Sequence, residues 1–237
     1  MATIEIEARL GNHLHKIATA YALSQKVGED CIVRRWQWSS VFKNFYDYII
    51  TDNNPIFERT YIEQPYNKLT NPVEEIPALP MLKLVGSFES SQYFLGYETQ
   101  VKNMFALPMI KNDYTVIHVR LTDFLHEHDH HIKLTNNYYR KAMSICPGPY
   151  IVVSDDIEMA KDRLKDCTDI VFIHNDVITD LQFMIGAKNL IIPNSTLSWW
   201  GAYLGRHEKV CCPKQWYRKS PDDSYKYEPS WIVIDEI

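Results

Sequence analysis

The sequence predicts an α/β fold organised around a doubly wound parallel sheet. Two observations carry this. The second half repeats short apolar runs of strand length, separated by segments with helical apolar spacing, and three of those runs are followed at once by clusters of polar side chains. The runs are Thr115-Val116-Ile117-His118-Val119, Tyr150-Ile151-Val152-Val153, Ile170-Val171-Phe172-Ile173 and Asn189-Leu190-Ile191-Ile192. Each reads as a buried strand. Helices are expected over residues 155–165 and 177–187, with a shorter one over Ser198 to Leu204. The chain opens in the same way, with a strand at Thr3-Ile4-Glu5-Ile6, a turn, and a helix on which Leu10, Leu14, Ile17, Ala18, Tyr21 and Ala22 recur at helical spacing. Between Asn53 and Pro80 no regular period survives, and Pro72, Pro77 and Pro80 mark loop or irregular structure.

Composition narrows the function classes. With 237 residues, 46% hydrophobic and 23% charged, the chain can bury a core in one or two compact units. Twenty-five Lys and Arg against thirty Asp and Glu give a net charge of −5, with no basic run longer than Arg34-Arg35, which disfavours bulk nucleic-acid binding. No apolar window approaches the roughly 20 residues of a membrane span, and the first thirty residues hold no apolar block of signal-peptide length, so a soluble protein is expected. Five cysteines at irregular spacing point to a reducing cytoplasm rather than a disulfide framework. Glycine is scarce at eight residues, so a phosphate cradle must draw its donors from other residue types.

In doubly wound sheets ligands sit beyond the carboxyl ends of the strands, which directs attention to three clusters. After the run at 115–119 come Arg120 and Asp123. Arg120 has the planar fork that bridges two phosphate oxygens, and it is equally able to form a structural ion pair with Asp123. After the run at 150–153 come Ser154, Asp155 and Asp156, which suit ribose or base contacts, or a cap on the next helix. After the run at 189–192 come Asn194, Ser195 and Thr196 at a helix start, where free amides, hydroxyls and the dipole suit a phosphate; an ordinary cap is the alternative. The stretch His126-Glu127-His128-Asp129-His130-His131 lacks zinc-ligand spacing and reads as a solvated loop, and Trp199-Trp200 reads as core.

Several blocks together are more specific. Leu10-Gly11-Asn12, Phe88-Glu89-Ser90-Ser91-Gln92-Tyr93-Phe94, His118-Val119-Arg120, Tyr138-Tyr139-Arg140-Lys141-Ala142, Ser154-Asp155-Asp156, Asn194-Ser195-Thr196-Leu197-Ser198-Trp199-Trp200-Gly201-Ala202 and Pro213-Lys214-Gln215-Trp216-Tyr217 occur in this order. In these the chain resembles the α-1,2-fucosyltransferases of glycosyltransferase family 11. The resemblance implies a GT-B-like fold of two Rossmann-like lobes, with residues 1–112 an acceptor-side lobe and 113–237 the lobe that binds the nucleotide sugar. It further implies an inverting transfer of L-fucose from GDP-fucose to a glycan hydroxyl without a metal or other cofactor. Its membrane-anchored members carry an N-terminal span, so a soluble bacterial-like or viral member is expected here.

By the same resemblance Arg120 would bind the donor diphosphate, His118 support that strand end, and Asn12 contact the donor from the first lobe. Asn194, Ser195 and Thr196 would hold the phosphates, and Ser154 and Asp155 the nucleoside. Asp123 is the expected catalytic base, with Glu7 and His13 as rivals. The chain has Ala8-Arg9 and Leu121-Thr122 where the family usually shows a glycine pair and a second arginine with glycine, which keeps another donor such as UDP-xylose open. A metal-dependent transferase using Asp155 and Asp156, and a non-catalytic glycan-binding protein using the fifteen tyrosines and six tryptophans, are the readings from other classes.

Overall fold

The structure is a computed structural model that describes residues 2–4, 9–64, 73, 75–121, 132–218 and 223–235. The chain forms two compact units, Met1–Leu107 and Pro108–Ile237.

In the first unit, strand β1 (Ala2–Ile4) leads into helix α1 (Leu10–Val27), followed by β2 (Ile32–Val33), β3 (Ile50–Thr51), β4 (Arg59–Ile62), β5 (Leu82–Val85) and helix α2 (Glu98–Met104). All strand pairings are parallel, in a three-stranded order β1-β5-β4 and a pair β2-β3, with a bridge from Ala2 to Cys31 joining the two. The apolar positions expected on α1 are buried, and the helix stops at Gly28, whose φ of 74° is the left-handed geometry glycine adopts without strain. Two expectations shift. β1 ends at Ile4, and Glu5 and Ile6 lie outside the described residues. The stretch expected to be irregular contains β4, an edge strand with too little apolar alternation to announce itself.

The second unit carries β6 (Thr115–Val119), α3 (Asn136–Ile145), β7 (Tyr150–Ser154), α4 (Ile157–Arg163), β8 (Ile170–Ile173), α5 (Val177–Gly186), β9 (Asn189–Ile191), α6 (Thr196–Leu204), β10 (Lys209–Pro213) and β11 (Ile232–Ile234). The six strands are parallel in the order β11-β10-β9-β6-β7-β8. Chain order therefore runs outward from β6 in one direction through β7 and β8, then restarts at β9 and runs outward in the other. Right-handed crossovers place the helices of the two halves on opposite faces, and a crevice opens where the direction reverses. That point lies between β6 and β9.

The register there is held by a buried side-chain bond: Asn189 Nδ2 donates to Thr115 Oγ1 at 3.2 Å, and these two residues are Cα partners. Both strands are buried along their whole length, so a one-residue slip would carry apolar side chains out of their layer. Tyr138 on α3 clamps the same strands from one side, its hydroxyl donating to Ile192 O while its ring is fully buried. The end of α5 meets the entering chain closely: Asn112 N–H donates to Gly186 O at 3.1 Å, and a Cβ on Gly186 would lie 2.2 Å from Ile110 O. Gly186→Ala is expected to lower stability by about 1–3 kcal/mol through this overpacking, read as a lower melting temperature by circular dichroism.

Candidate functional site

The parallel register puts the ends of β6 and β9 side by side. Ile117 pairs with Ile191, so three residues further on in each chain Arg120 and Asn194 leave the sheet together. Both line one cavity of about 120 Å³, together with Leu121, Lys133, Tyr139 and Arg163. Asn194 is followed at once by Ser195, the N-cap of α6, and Thr196, its first residue; Ser195 and Thr196 are half-buried.

The start of α6 differs from its neighbours in the same unit. Thr135 accepts the Asn137 N–H at α3, Asp156 the Met159 N–H at α4, and Asp176 those of Ile178 and Thr179 at α5. At α6 the Ser195 side chain makes no capping bond among the described residues. Amides at a helix start that its own N-cap leaves unsatisfied, with the dipole behind them, form a site suited to an anion. Ser198, in the first turn, instead turns its hydroxyl back to Ser195 O at 3.1 Å.

Arg120 is held in place rather than left to search. Its Nη1 lies 3.1 Å from Asp155 Oδ2, with the two side chains only 15% and 16% exposed, and the other Asp155 oxygen accepts the Leu121 N–H at 2.9 Å. The ion pair considered from sequence was with Asp123; the observed carboxylate is Asp155, reached across the β6–β7 pairing. Asp123 and Glu7 lie outside the described residues, as does the histidine-rich stretch 126–131.

The remaining candidates fall into place with more local roles. Ser154 is buried, and its hydroxyl donates to Asp156 O at 3.0 Å and accepts the Asp156 N–H at 3.1 Å. Capping of α4 falls to Asp156 rather than to Ser154 or Asp155. Asn194 is 2% exposed, and its Nδ2 donates to Ile132 O and to Trp216 O, both at 2.9 Å. Those two carbonyls fix the amide's orientation, leaving Oδ1 buried without a hydrogen-bond partner among the described residues. Asn12 stands half-buried in the first turn of α1, and His13 is buried with its ring edge-on to Trp36 at 5.1 Å. Trp199 and Trp200 are core side chains, packed edge-on at 5.1 Å.

Electrostatics separate the roles of His118 and Arg120. Complete burial pushes the His118 imidazole down to about 4, against the opposing pull of Asp155, so the ring is neutral near pH 7. The fixed positive charge at this strand end is the guanidinium. Asp180, in the first turn of α5, is pushed up to about 6 by burial, partly offset by a bond from Asn175. Two further cations at the cavity, Lys133 and Arg163, were not legible in sequence. Arg163 belongs to a run of alternating helix charges, and only the fold turns it inward to donate to Leu134 O.

Two parallel-sheet α/β units, the second wound in both directions from the β6–β9 pairing, define a GT-B-like architecture. The chain belongs to Glycosyl transferase family 11, whose model matches residues 91–235. It is 30% identical over 134 residues to the O-antigen biosynthesis glycosyltransferase WbnK of Escherichia coli, covering 51% of this chain and 44% of that one. To an Escherichia coli alpha-1,2-colitosyltransferase it is 25% identical over 183 residues, covering 65% of this chain and 63% of the relative. The chain thus spans roughly half to two thirds of the length of these relatives. Among solved structures, E. coli heptosyltransferase WaaC with ADP shares the fold, with a TM-score of 0.54 at 10% identity over 99% of this chain and 92% of that one. Among the described residues no helix is long and apolar enough to cross a membrane, and no group of three His, Cys, Asp or Glu is placed to hold a metal ion.

The His118 shift has a testable consequence. Between its folded value of about 4 and the unfolded value near 6.5, the unfolded chain binds the extra proton, so this contribution to stability is full above the window and is lost as pH falls through it. Asp180 acts with the opposite sign, so the comparison must be a difference between variants. Thermal melts from about pH 7 to about pH 4.5 are expected to show a steeper acid loss for the wild type than for His118→Gln; parallel curves would contradict the assignment.

Proposed function

We propose that the protein is an inverting glycosyltransferase that moves a sugar, L-fucose from GDP-fucose, onto a hydroxyl of a glycan acceptor. The observation that carries this reading is the shared exit of Arg120 and the open start of α6 at the reversal point of the sheet. Family membership supplies the reaction class.

In the proposed reaction an acceptor hydroxyl attacks the anomeric carbon from the face opposite the diphosphate. The bond from that carbon to the phosphate oxygen breaks, and its electron pair leaves with the nucleoside diphosphate. The hydroxyl proton passes to a carboxylate, for which Asp123, three residues beyond Arg120 in sequence, is the proposed acceptor. Arg120 meets the charge that develops on the leaving diphosphate, and the Asp155 carboxylate keeps its fork oriented before substrate arrives. The α6 amides, with Ser195 and Thr196, hold the remaining phosphate oxygens. Asn12 is proposed to contact the donor, and Asp155, with Ser154 holding its turn, to face the nucleoside.

Asp155 and Asp156 are each committed elsewhere, one to Arg120 and the Leu121 amide, the other to the α4 cap. That division of labour favours the metal-free route. Arg120→Lys is expected to lower turnover by about 100-fold or more, because an ammonium cannot reproduce two parallel bonds to the departing phosphates. Near-normal turnover would contradict the role. Calorimetry with GDP and UDP identifies the base: saturable binding of GDP and weaker binding of UDP is the expected result.

A further inference from the structure

The start of α6 carries the proposed phosphate site, yet its own N-cap side chain does not hold it. It is held by the segment that follows β10. Asn194 donates to Trp216 O, and from the other end of the first turn Trp199 Nε1 donates to Lys226 O. One connection between β10 and β11, described at residues 214–218 and 223–227, therefore grips α6 at both ends of its first turn.

Among its described residues this connection carries a 3-10 turn at Ser224–Lys226. What shapes it is charge. Lys226 is 1% exposed, and its ammonium lies 5.2 Å from the Trp216 ring centroid, 4.9 Å from that of Tyr217 and 5.2 Å from that of Tyr225. Asp223 is fully buried, and its Oδ2 accepts the Trp216 N–H at 2.6 Å and the Tyr217 N–H at 3.2 Å. Burying two charged side chains costs several kcal/mol each before partners repay it, and an apolar plug of similar volume would hold the segment at least as firmly. Charges kept in such a place specify one geometry better than they add stability: a cation over three ring faces and a carboxylate on two successive amides leave Trp216 a single orientation.

We infer that Lys226, with Asp223, is a positioning residue for donor binding: it sets the Trp216 carbonyl that fixes Asn194, and through Asn194 and Trp199 the aim of the α6 amides at a nucleoside diphosphate. The inference rests on the proposed function of that helix start and adds to it the side chains that orient it.

Calorimetric GDP binding to the full chain, with thermal melts in parallel, separates positioning from simple support. Lys226→Met is expected to weaken GDP about tenfold while the melting temperature stays within a few degrees of the wild type, and Lys226→Arg to keep GDP within about threefold. A Lys226→Met protein that binds GDP as tightly as the wild type overturns the inference, whatever its melting temperature. If Lys226→Met does not fold, Tyr225→Leu removes one ring and leaves the ammonium in place; a loss of about threefold supports the inference and unchanged affinity overturns it. Absence of GDP binding by the wild type would instead remove the functional reading beneath it, an outcome distinct from equal binding by wild type and variants.

Discussion

Thr115 and Asn189 stand 74 residues apart in the chain and opposite one another in the sheet, joined by both backbone register and a buried side-chain hydrogen bond. The chemistry at the other end of those two strands depends on that pairing. Arg120 is five residues beyond Thr115 and Asn194 five beyond Asn189, so a correct register brings a guanidinium and a helix start to the same rim. A slip by one would turn Arg120 toward the opposite face. The site is consequently a by-product of how apolar strands settle against one another, with its polar parts carried along.

Each polar group at the rim has its own solution to burial. Arg120 is matched by Asp155, which also takes a backbone amide and so satisfies two donors with one carboxylate. His118 loses its charge. Asn194 spends both amide hydrogens on carbonyls. Against that background the start of α6 stands out, because three neighbouring helices are closed by their own N-cap side chains and this one is not. The asymmetry leaves the first turn of α6 without a side-chain cap from Ser195, beside a cation already oriented by Asp155.

Strands β6 to β9 were legible because they are short, mostly apolar and bounded by helical periodicity; β6 and β8 fall where the pattern places them, and α5 within a residue, while β8 is a part-exposed edge strand rather than a buried one, and β10 and β11 were not read from the sequence. Arg120 and the Asn194–Thr196 cluster were legible for the related reason that polar side chains directly after buried runs must sit at a sheet edge. What sequence did not reveal is partnership. Nothing in the chain distinguishes Asp155 from Asp123 as the partner of Arg120, since the choice depends on which strand lies beside β6. β4 and the short strands around it escaped because edge strands of two to four residues carry no period. Lys226 escaped because a lysine amid tyrosines reads as surface until the fold closes three rings around it.

The account stands or falls on whether Arg120 and the α6 start address one diphosphate. A crystal structure of the chain with GDP bound tests this most directly. The account predicts phosphate oxygens within about 2.7–3.2 Å of both the Arg120 guanidinium and backbone amides in the first turn of α6. Density for GDP with its phosphates touching only one of the two elements, or neither, would contradict it.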